Sequence, residues 1–362
     1  MIDYLIYVED PGAANYILSL PDEFQKNGIS FALLANDAAV DYLNKRNVEF
    51  NQVVKDEPSR LLQELNPRRM LIGTSENRKS IGLELIEVAR KKNILTIGFV
   101  DMLCNADRRF RGESENPLQY MTDILLVPDY KTKMAFIKLG ATDKNILVIG
   151  HPHFDRVENW LKGLDERSKY NFRHRFYKGL SDKTKVIVFV SEGWDLLNIS
   201  ASVKNDEYGF VGRGDSEFRT TIILEELIDA LKETSDDYYL VLRLHPKNNI
   251  EDFAHLLSEI DHVSKSEDPL EIVLSSDLVV GMTSMLLLES TILKKPTLSV
   301  LPLKSEADWL PNLASGATKC VFSRNELKEC LTTDWNNLIL HESNKFYLSG
   351  AKKRLVDYLS TY

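Results

Sequence analysis

Cysteine is scarce in this 362-residue chain, which contains only Cys104, Cys320 and Cys330. Their odd number and wide spacing exclude a disulfide framework, and the absence of any C-x-x-C pair excludes the common zinc and redox motifs. Chains with few cysteines and no disulfide pattern are typical of reducing compartments. We therefore expect a cytoplasmic protein.

Long hydrophobic runs are also missing. The longest, around Leu278–Leu288, is shorter than the ~18 residues that a membrane-spanning helix needs. The first residues carry no basic segment and no small-residue cleavage site, so we expect no signal peptide and a soluble protein. Basic clusters such as Arg108, Arg109 and Arg111 are compatible with weak peripheral association at the inner face of a membrane, and equally with a solvated or ligand-facing loop.

The chain has no excess of positive charge. Its 45 lysines and arginines against 54 aspartates and glutamates give a net charge of −9. Nucleic-acid-binding proteins usually present a basic face, so we expect no nucleic-acid partner. The 43% of hydrophobic and 27% of charged residues are typical of a globular protein. At ~150 residues per domain, the length predicts roughly two domains.

Short apolar segments alternate with amphipathic segments in two consecutive series, which is typical of βαβ units around a parallel sheet. The predicted strands of the first series are Tyr4–Val8, Ser30–Ala35, Met70–Gly73, Leu95–Val100, Ile124–Val127 and Ile146–Ile149. Those of the second series are Lys185–Val190, Tyr239–Leu244, Asp277–Gly281 and Thr297–Leu301. The predicted helices include Ile17–Lys26, Asn249–Ile260 and Lys345–Tyr362. A charged stretch, Lys162–Lys185, separates the series. The sequence thus predicts an α/β fold of two Rossmann-like domains facing a cleft, joined near residues 155–185.

Ligands of open α/β sheets bind beyond the carboxyl ends of the strands, so the loops after the strands are the candidate sites. The first such loop contains Glu9, Asp10 and Gly12. A carboxylate here could act as a general base on an acceptor hydroxyl, and Gly12 allows another group to approach the backbone. The alternative is that Asp10 caps the following helix. The loop is not a G-x-G-x-x-G motif, so we expect no dinucleotide cofactor.

A second candidate loop follows the strand Tyr239–Leu244. Arg243, His245 and Lys247 place three potential cations at one strand end, and Pro246 fixes the turn. Such a group suits a phosphate or pyrophosphate. The alternative is a structural histidine beside a turn with a solvated lysine.

Two further loops of the second series carry polar residues. Thr283 and Ser284 begin a helix, where hydroxyls and backbone N–H groups can form an anion cradle or simply cap the helix. Glu289, further along that helix, could hold a ribose or be an ordinary helix residue. The loop Ser191-Glu192-Gly193-Trp194 is a candidate phosphate or acceptor loop, or a simple turn.

A pair of histidines raises the question of a metal. His151 and His153 lie two residues apart near Asp155. No further ligand has recognisable spacing, so we expect no metal site.

Several of these motifs resemble those of the GT-B superfamily of nucleotide-sugar enzymes. The run from Ser276 to Gly281, followed by Ser284, Glu289 and Lys295-Pro296, is similar to its nucleotide-binding signature. Arg243-Leu244-His245-Pro246 resembles the His-Pro element of bacterial sialyltransferases, CMP-sugar capsule transferases and CDP-glycerol glycerophosphotransferases. The Glu9–Gly12 loop is loosely similar to the acidic motif of bacterial sialyltransferases, whose second acid is the base, although Pro11 departs from that pattern.

The resemblance implies an inverting, metal-independent glycosyltransferase without a cofactor. It would move a sugar from a nucleotide-activated donor to a glycan acceptor in surface polysaccharide synthesis. Asp10, or else Glu9, would be the base, and a CMP or CDP donor is favoured over UDP. The donor-binding residues would be Gly12, Ser191, Glu192, Arg243, His245, Pro246, Lys247, Thr283, Ser284 and Glu289. Residues 1–160 would form the acceptor domain and 161–343 the donor domain. A C-terminal helix over 344–362 could pack back on the acceptor domain.

Two other functions stay open at this point. Gly150-His151-Pro152-His153-Phe154-Asp155 also resembles a junction in UDP-N-acetylglucosamine 2-epimerases. A sugar-nucleotide epimerase or hydrolase is therefore the main alternative, although Ser191-Glu192-Gly193-Trp194 stands where those enzymes carry a His-Arg-x-x-Asn element. The remaining alternative is a catalytically inactive binding protein.

Overall fold

The computed structural model describes residues 1–53, 58–102, 105–193, 203–204, 206–214, 216–234, 236–339 and 346–361. Cys104 and Trp194 lie outside these ranges. The chain divides into two compact units. Unit 1 comprises Met1–Arg156 and Tyr347–Tyr362, and unit 2 comprises Val157–Phe346.

Unit 1 is built on a seven-stranded parallel sheet in the order β3-β2-β1-β4-β5-β6-β7. Its strands are β1 (Ile2–Val8), β2 (Phe31–Ala35), β3 (Asn51–Gln52), β4 (Pro67–Gly73), β5 (Leu95–Phe99), β6 (Ile124–Val127) and β7 (Ile146–Val148). Its helices are α1 (Pro11–Ile17), α2 (Leu20–Lys26), α3 (Ala38–Asn44), α4 (Pro58–Leu65), α5 (Ile81–Lys91) and α6 (Tyr130–Lys138), with a short 3₁₀ helix at Asp143–Asn145. Helix α7 (Pro152–Lys162) begins in this unit.

The first strand shows why the strands of this sheet appear in the sequence as continuous apolar runs. Tyr4, Ile6 and Val8 enter one hydrophobic core, whereas Leu5 and Tyr7 enter the other. Both faces of the strand are therefore covered. A parallel strand buried on both faces favours continuous apolar sequence rather than alternation of apolar and polar residues.

Unit 2 contains a six-stranded parallel sheet in the order β10-β9-β8-β11-β12-β13. Its strands are β8 (Lys185–Val190), β9 (Tyr238–Arg243), β10 (His262–Ser264), β11 (Leu278–Gly281), β12 (Thr297–Val300) and β13 (Lys319–Val321). Its helices are α8 (Glu166–Phe176), α9 (Arg219–Lys232), α10 (Pro269–Ser275), α11 (Met285–Ile292), α12 (Pro311–Ala314) and α13 (Arg324–Thr332). Short 3₁₀ helices occupy Ile250–Glu259, Lys304–Asp308 and Trp335–Leu338.

The strand order reverses beside the first strand of each sheet. In unit 1, β1 lies between β2 and β4, and in unit 2, β8 lies between β9 and β11. This is the order of the Rossmann fold, in which ligands bind at the crevice outside the reversal point. The prediction of two Rossmann-like domains is confirmed, and the reversal points direct attention to the loops after β1, β4, β8 and β11.

The last helix, α14 (Ala351–Ser360), belongs to unit 1. Leu355 and Leu359 enter the same core as β1. The carboxylate of Asp155 accepts the backbone N–H groups of Gly350 and Lys352, each at 2.8 Å. The chain therefore returns to its first unit through an apolar face and a carboxylate that caps the helix start.

Several elements differ from the sequence prediction. The predicted helix Ile17–Lys26 is divided between α1 and α2, because Pro21 near the start of α2 lacks the N–H that would continue α1. The stretch Lys162–Lys185, predicted as a charged joint, contains α8. Arg173 of that helix pairs with Asp277 at 2.7 Å, so charged contacts fix it within unit 2.

Strands β3 and β10 are too short to produce a readable pattern in the sequence. Among the described residues, no helix combines the length and apolar character needed to cross a membrane.

Candidate functional site

Ser191 ties together the loops that follow β8 and β9. Its hydroxyl accepts the backbone N–H of His245 at 2.8 Å, and it lies 2.8 Å from Asn248 Oδ1 and 3.1 Å from the Arg243 carbonyl. The side chain is 1% exposed. A buried hydroxyl with these partners fixes the loop around His245 rather than reaching outward to a ligand.

His245 is half-buried at the end of β9. Its Nδ1 accepts the backbone N–H of Lys247 at 3.2 Å, which places the proton of the neutral ring on Nε2. Burial, assisted by the nearby Lys247 charge, lowers the pKa of His245 to about 4. At neutral pH, His245 is therefore an uncharged hydrogen-bond donor rather than the cation that the sequence predicts.

Gly193 makes the close packing around this histidine possible. A Cβ built on Gly193 would lie 2.7 Å from Nδ1 of His245. Any side chain at this position would push the imidazole out of place. The glycine of the β8 loop and the histidine of the β9 loop therefore form one packed unit.

The two cations near His245 differ in their surroundings. Arg243 is buried, donates to Ser264 Oγ at 2.8 Å and lies 4.0 Å from a Glu267 oxygen. Burial lowers its pKa, whereas Glu267, Asp268 and Glu289 favour its charge. Lys247 is exposed and follows Pro246 at the turn. Arg243 is thus held by the protein's own acids, and Lys247 is the cation of this loop that a ligand can reach.

Thr283 and Ser284 lie between β11 and α11, on the other side of the reversal point. Ser284 caps α11, since its hydroxyl accepts the backbone N–H of Leu286 at 3.3 Å. The backbone N–H of Thr283 donates to Glu192, and its hydroxyl donates to the same carboxylate oxygen at 3.0 Å. Thr283 thus binds an anionic side chain of the protein, whereas Ser284 caps the helix, and the predicted anion cradle for a ligand stays a prediction.

Glu192 connects Thr283 to a buried arginine that sequence reasoning missed. Its second oxygen accepts from Arg219 Nη1 at 3.1 Å, and Arg219 Nη2 donates to Glu306 at 2.6 Å. Arg219 also lies 5.4 Å from the ring of Trp309. We refer to Glu192, Arg219, Glu306 and Thr283 as the Arg219 cluster. Burial, opposed by Arg219, raises the pKa of Glu306 to about 7.

In unit 1, Glu9 lies at the reversal point between β1 and β4. Asn77 Nδ2 donates to it at 2.5 Å, Tyr7 donates at 3.1 Å, and Ser80 donates to the same carboxylate. Burial raises the pKa of Glu9, which is 3% exposed. These three donors satisfy the carboxylate within the protein, which suits a residue that supports the loop better than one that contacts an acceptor.

Asp10 is partly exposed at the start of α1 and makes no side-chain capping hydrogen bond there. Gly12, two residues later, contacts Asp101, an acid that the sequence did not indicate as part of the site. A Cβ on Gly12 would lie 1.8 Å from Asp101 Oδ2, so the Asp101 carboxylate rests directly on this glycine. Arg109 donates to the other Asp101 oxygen at 3.1 Å. The only sequence signal for Asp101 was its position just after a predicted strand.

The basic cluster of unit 1 is paired with acids. Arg109 binds Asp101 as above, Arg108 lies 3.5 Å from Glu76, and Arg111 lies 3.9 Å from Asp107. Peripheral membrane association through these arginines stays a prediction.

His151, His153 and Asp155 take part in packing and capping. Burial lowers the pKa of His151 well below its ordinary value, and its ring lies 5.0 Å from that of Tyr16. Arg156 lies 2.8 Å from Nδ1 of His153, and Asp155 caps α14. Within the described ranges, no group of three or more His, Cys, Asp or Glu residues is arranged to hold a metal ion.

Comparisons with known proteins establish the fold. No protein-family model matches the chain, and no curated protein matches its sequence. Among solved structures, the UDP-GlcNAc 2-epimerase of Neisseria meningitidis, bound to UDP-GlcNAc, has a TM-score of 0.72 and 14% identity over 100% of both chains. A glycosyltransferase from Rickettsia africae has a TM-score of 0.62 and 12% identity, over 99% of this chain and 98% of that one.

The wall teichoic acid polymerase TagF is also similar, with a TM-score of 0.57 and 14% identity over 99% of this chain and 88% of that one. At such identities the likeness concerns the fold. The chain has the GT-B fold of two Rossmann-like domains, as the epimerases do. None of these structures favours the sialyltransferase or CMP-sugar families over others with this fold.

Proposed function

We propose that this chain is an enzyme that binds a uridine-diphosphate sugar through unit 2 and converts it by chemistry of the sugar-nucleotide 2-epimerase type. The observation that carries this proposal is the likeness, over the full length of both chains, to an epimerase with UDP-GlcNAc bound. The cytidine preference has no support in the comparisons, so uridine is the proposed base and cytidine nucleotides belong in the test.

The loop after β9 is the proposed phosphate site. Neutral His245 offers its Nε2–H, and Lys247 offers an exposed charge two residues later. A neutral donor that is already held in place, as the His245 ring is, can stabilise negative charge on a diphosphate without reorganisation, and Lys247 adds a positive charge. Ser191 fixes the backbone of His245, and Gly193 packs against its ring, so both are positioning residues.

Carboxylates of unit 1 are the proposed groups for proton transfer. When a base removes the C2 proton, the C–H electrons form a C1–C2 double bond and the C1–O bond to the diphosphate breaks. Return of the diphosphate to C1 and of a proton to the opposite face of C2 completes the inversion, which requires groups that can accept and donate that proton. Asp10 is partly exposed and is the proposed base, with Asp101, which follows β5 and lies against Gly12, as a second acid. Glu9 is the weaker candidate because its oxygens are occupied by three donors.

Glycosyl transfer is the second candidate, and one observation favours it. Ser191, Glu192 and Gly193 stand where the epimerases are expected to carry a His-Arg-x-x-Asn element, and here Glu192 is engaged with Thr283 and Arg219. In this reaction Asp10 takes the proton of a glycan hydroxyl, the hydroxyl oxygen bonds to the anomeric carbon from the face opposite the phosphate, and the phosphate departs with the electrons of the broken C1–O bond. The product is a surface glycan with an inverted linkage.

The first test is binding. The thermal stability of the protein is measured with CMP, CDP, UDP, GDP and dTDP, since a ligand at 100 times its Kd adds about 2.7 kcal/mol to stability. We expect UDP to raise the Tm most. Failure of all five nucleotides to change the Tm would refute the proposal. A preference for CMP or CDP would show that the donor nucleotide contains cytidine rather than uridine.

The second test is turnover of UDP-GlcNAc without an acceptor, followed by NMR. Inversion at C2 supports the epimerase, release of free sugar indicates a hydrolase, and turnover only after a glycan acceptor is added identifies a transferase. Asp10→Asn should lose turnover and keep UDP binding, whereas His245→Ala should lose both. His255→Ala is the matched control, because His255 pairs with Glu225 elsewhere in unit 2. Wild-type behaviour of both site variants would show that the site is assigned wrongly.

A further inference from the structure

The Arg219 cluster is built around an anion that the protein supplies itself. Glu192 accepts from both the backbone N–H and the hydroxyl of Thr283, and its second oxygen accepts from Arg219. Two of these donors come from Thr283 in the loop after β11, and the third comes from Arg219, the first residue of α9. They are the types of donor that bind a phosphate oxygen at the reversal point of a Rossmann sheet.

The described residues do not satisfy every polar atom of the cluster. Arg219 has a side chain that is 9% exposed, yet its Nε has no hydrogen-bond partner among the described residues. The same is true of Glu306 Oε1, in a side chain with no exposed surface. Buried polar atoms without partners are costly, and they are often found where a ligand completes the arrangement.

The Arg219 cluster also contains more carboxylates than cations. Two carboxylates, those of Glu192 and Glu306, share one guanidinium. If Glu192 leaves, Arg219 still pairs with Glu306 at 2.6 Å, and its Nη1 becomes available to another anion. Departure of Glu192 therefore leaves Arg219 with a hydrogen-bond partner, whereas departure of Glu306 would not free any donor of Thr283.

We propose that Glu192 occupies the site of a donor phosphate between Thr283 and Arg219, and that an incoming nucleotide phosphate displaces it. This inference rests on the proposed function, because it concerns the same nucleotide site in unit 2. The phosphate takes over the N–H and hydroxyl of Thr283 and Nη1 of Arg219. Glu192 thereby acts as an internal competitor that excludes weaker anions and sets the affinity for nucleotide phosphate.

The displacement predicts that removing the Glu192 charge improves binding. A charge-assisted hydrogen bond is about twice as strong as a neutral one, so the amide of Glu192→Gln competes less well for Thr283. We expect UDP to bind about tenfold more tightly, which corresponds to ~1.4 kcal/mol. Glu192→Ala, which removes the competitor entirely, should change the Kd in the same direction.

The experiment is isothermal titration of UDP into the wild type and the variants Glu192→Gln, Glu192→Ala and Glu306→Gln, after each has been shown to unfold cooperatively. Glu306→Gln is the matched control, because it removes a carboxylate from the same arginine without touching Thr283. It should change the Kd less than the Glu192 variants do.

Two outcomes would overturn the inference. If the wild type binds UDP and the Glu192 variants bind it equally or more weakly, Glu192 is a fixed part of the site and only the displacement is wrong. If neither the wild type nor any variant binds a nucleotide, the proposed function fails, and the displacement fails with it.

Discussion

Replacing Glu306 with glutamine should change the stability of unit 2 in a way that depends strongly on pH. Glu306 has no exposed surface. Burial raises its pKa from 4.5 to about 7, Arg219 opposes that rise, and Glu192 adds to it. The rise corresponds to about 3 kcal/mol between the two protonation states.

The sign follows from the linkage between protonation and folding. A carboxyl group whose pKa is raised in the folded state contributes its full stability below the unfolded pKa and loses it as the pH rises through the folded pKa. The window for Glu306 therefore extends from pH 4.5 to about 7. A glutamine does not ionise, so the variant should gain about 3 kcal/mol relative to the wild type between pH 4.5 and 8.

Urea unfolding followed by tryptophan fluorescence measures this difference. The four tryptophans, Trp160, Trp194, Trp309 and Trp335, all lie within the residue range of unit 2, so their signal reports its unfolding. Any cost of burying the glutamine amide is the same at every pH and does not affect the slope. Glu329→Gln, at an exposed position on α13, is the control and should show no such trend.

One result would refute the reasoning about Glu306. If the free energies of unfolding of the wild type and the variant differ by the same amount at pH 5 and pH 8, Glu306 does not take up a proton in this range. The guanidinium of Arg219 would then outweigh burial, and the cluster would hold two full carboxylate charges.

Two further predictions concern unit 1. Gly12→Ala should destabilise it by about 1–3 kcal/mol, because the new Cβ would lie 1.8 Å from Asp101 Oδ2. Faster hydrogen exchange in β1 and α1 would support this prediction. An increase in stability, which is the usual effect of replacing a helical glycine with alanine, would contradict it. Asp155→Ala removes the acceptor of two N–H groups at the start of α14 and should cost about 0.5–2 kcal/mol. Unchanged exchange protection of α14 would contradict that role.

The main features of the fold could be predicted from local patterns. Strands such as β1 and β8 are buried on both faces, so their apolar runs stand out in the sequence. Helix α8 was not predicted, because its sequence contains no such apolar pattern. Its sequence is dominated by charged residues, and it is held by partners such as Asp277, 104 residues from Arg173 along the chain.

Part of the candidate site could likewise be predicted from the sequence, and part could not. Arg243, His245 and Lys247 are close in the chain and lie at the end of one strand, so their grouping was visible in the sequence. Their electrostatic states were not visible, because burial keeps His245 neutral and the acids around Arg243 engage its charge.

The sequence by itself determined that the chain forms two parallel α/β sheets and which loops follow their strands, because burial on both faces leaves a local apolar signal. Only the tertiary structure decided which loops meet. Glu192 reaches Thr283 across 91 residues, and Arg219 reaches Glu306 across 87. The physical reason is the reversal of strand order, which places β8 beside β11 and brings loops that are distant in the chain to one strand edge.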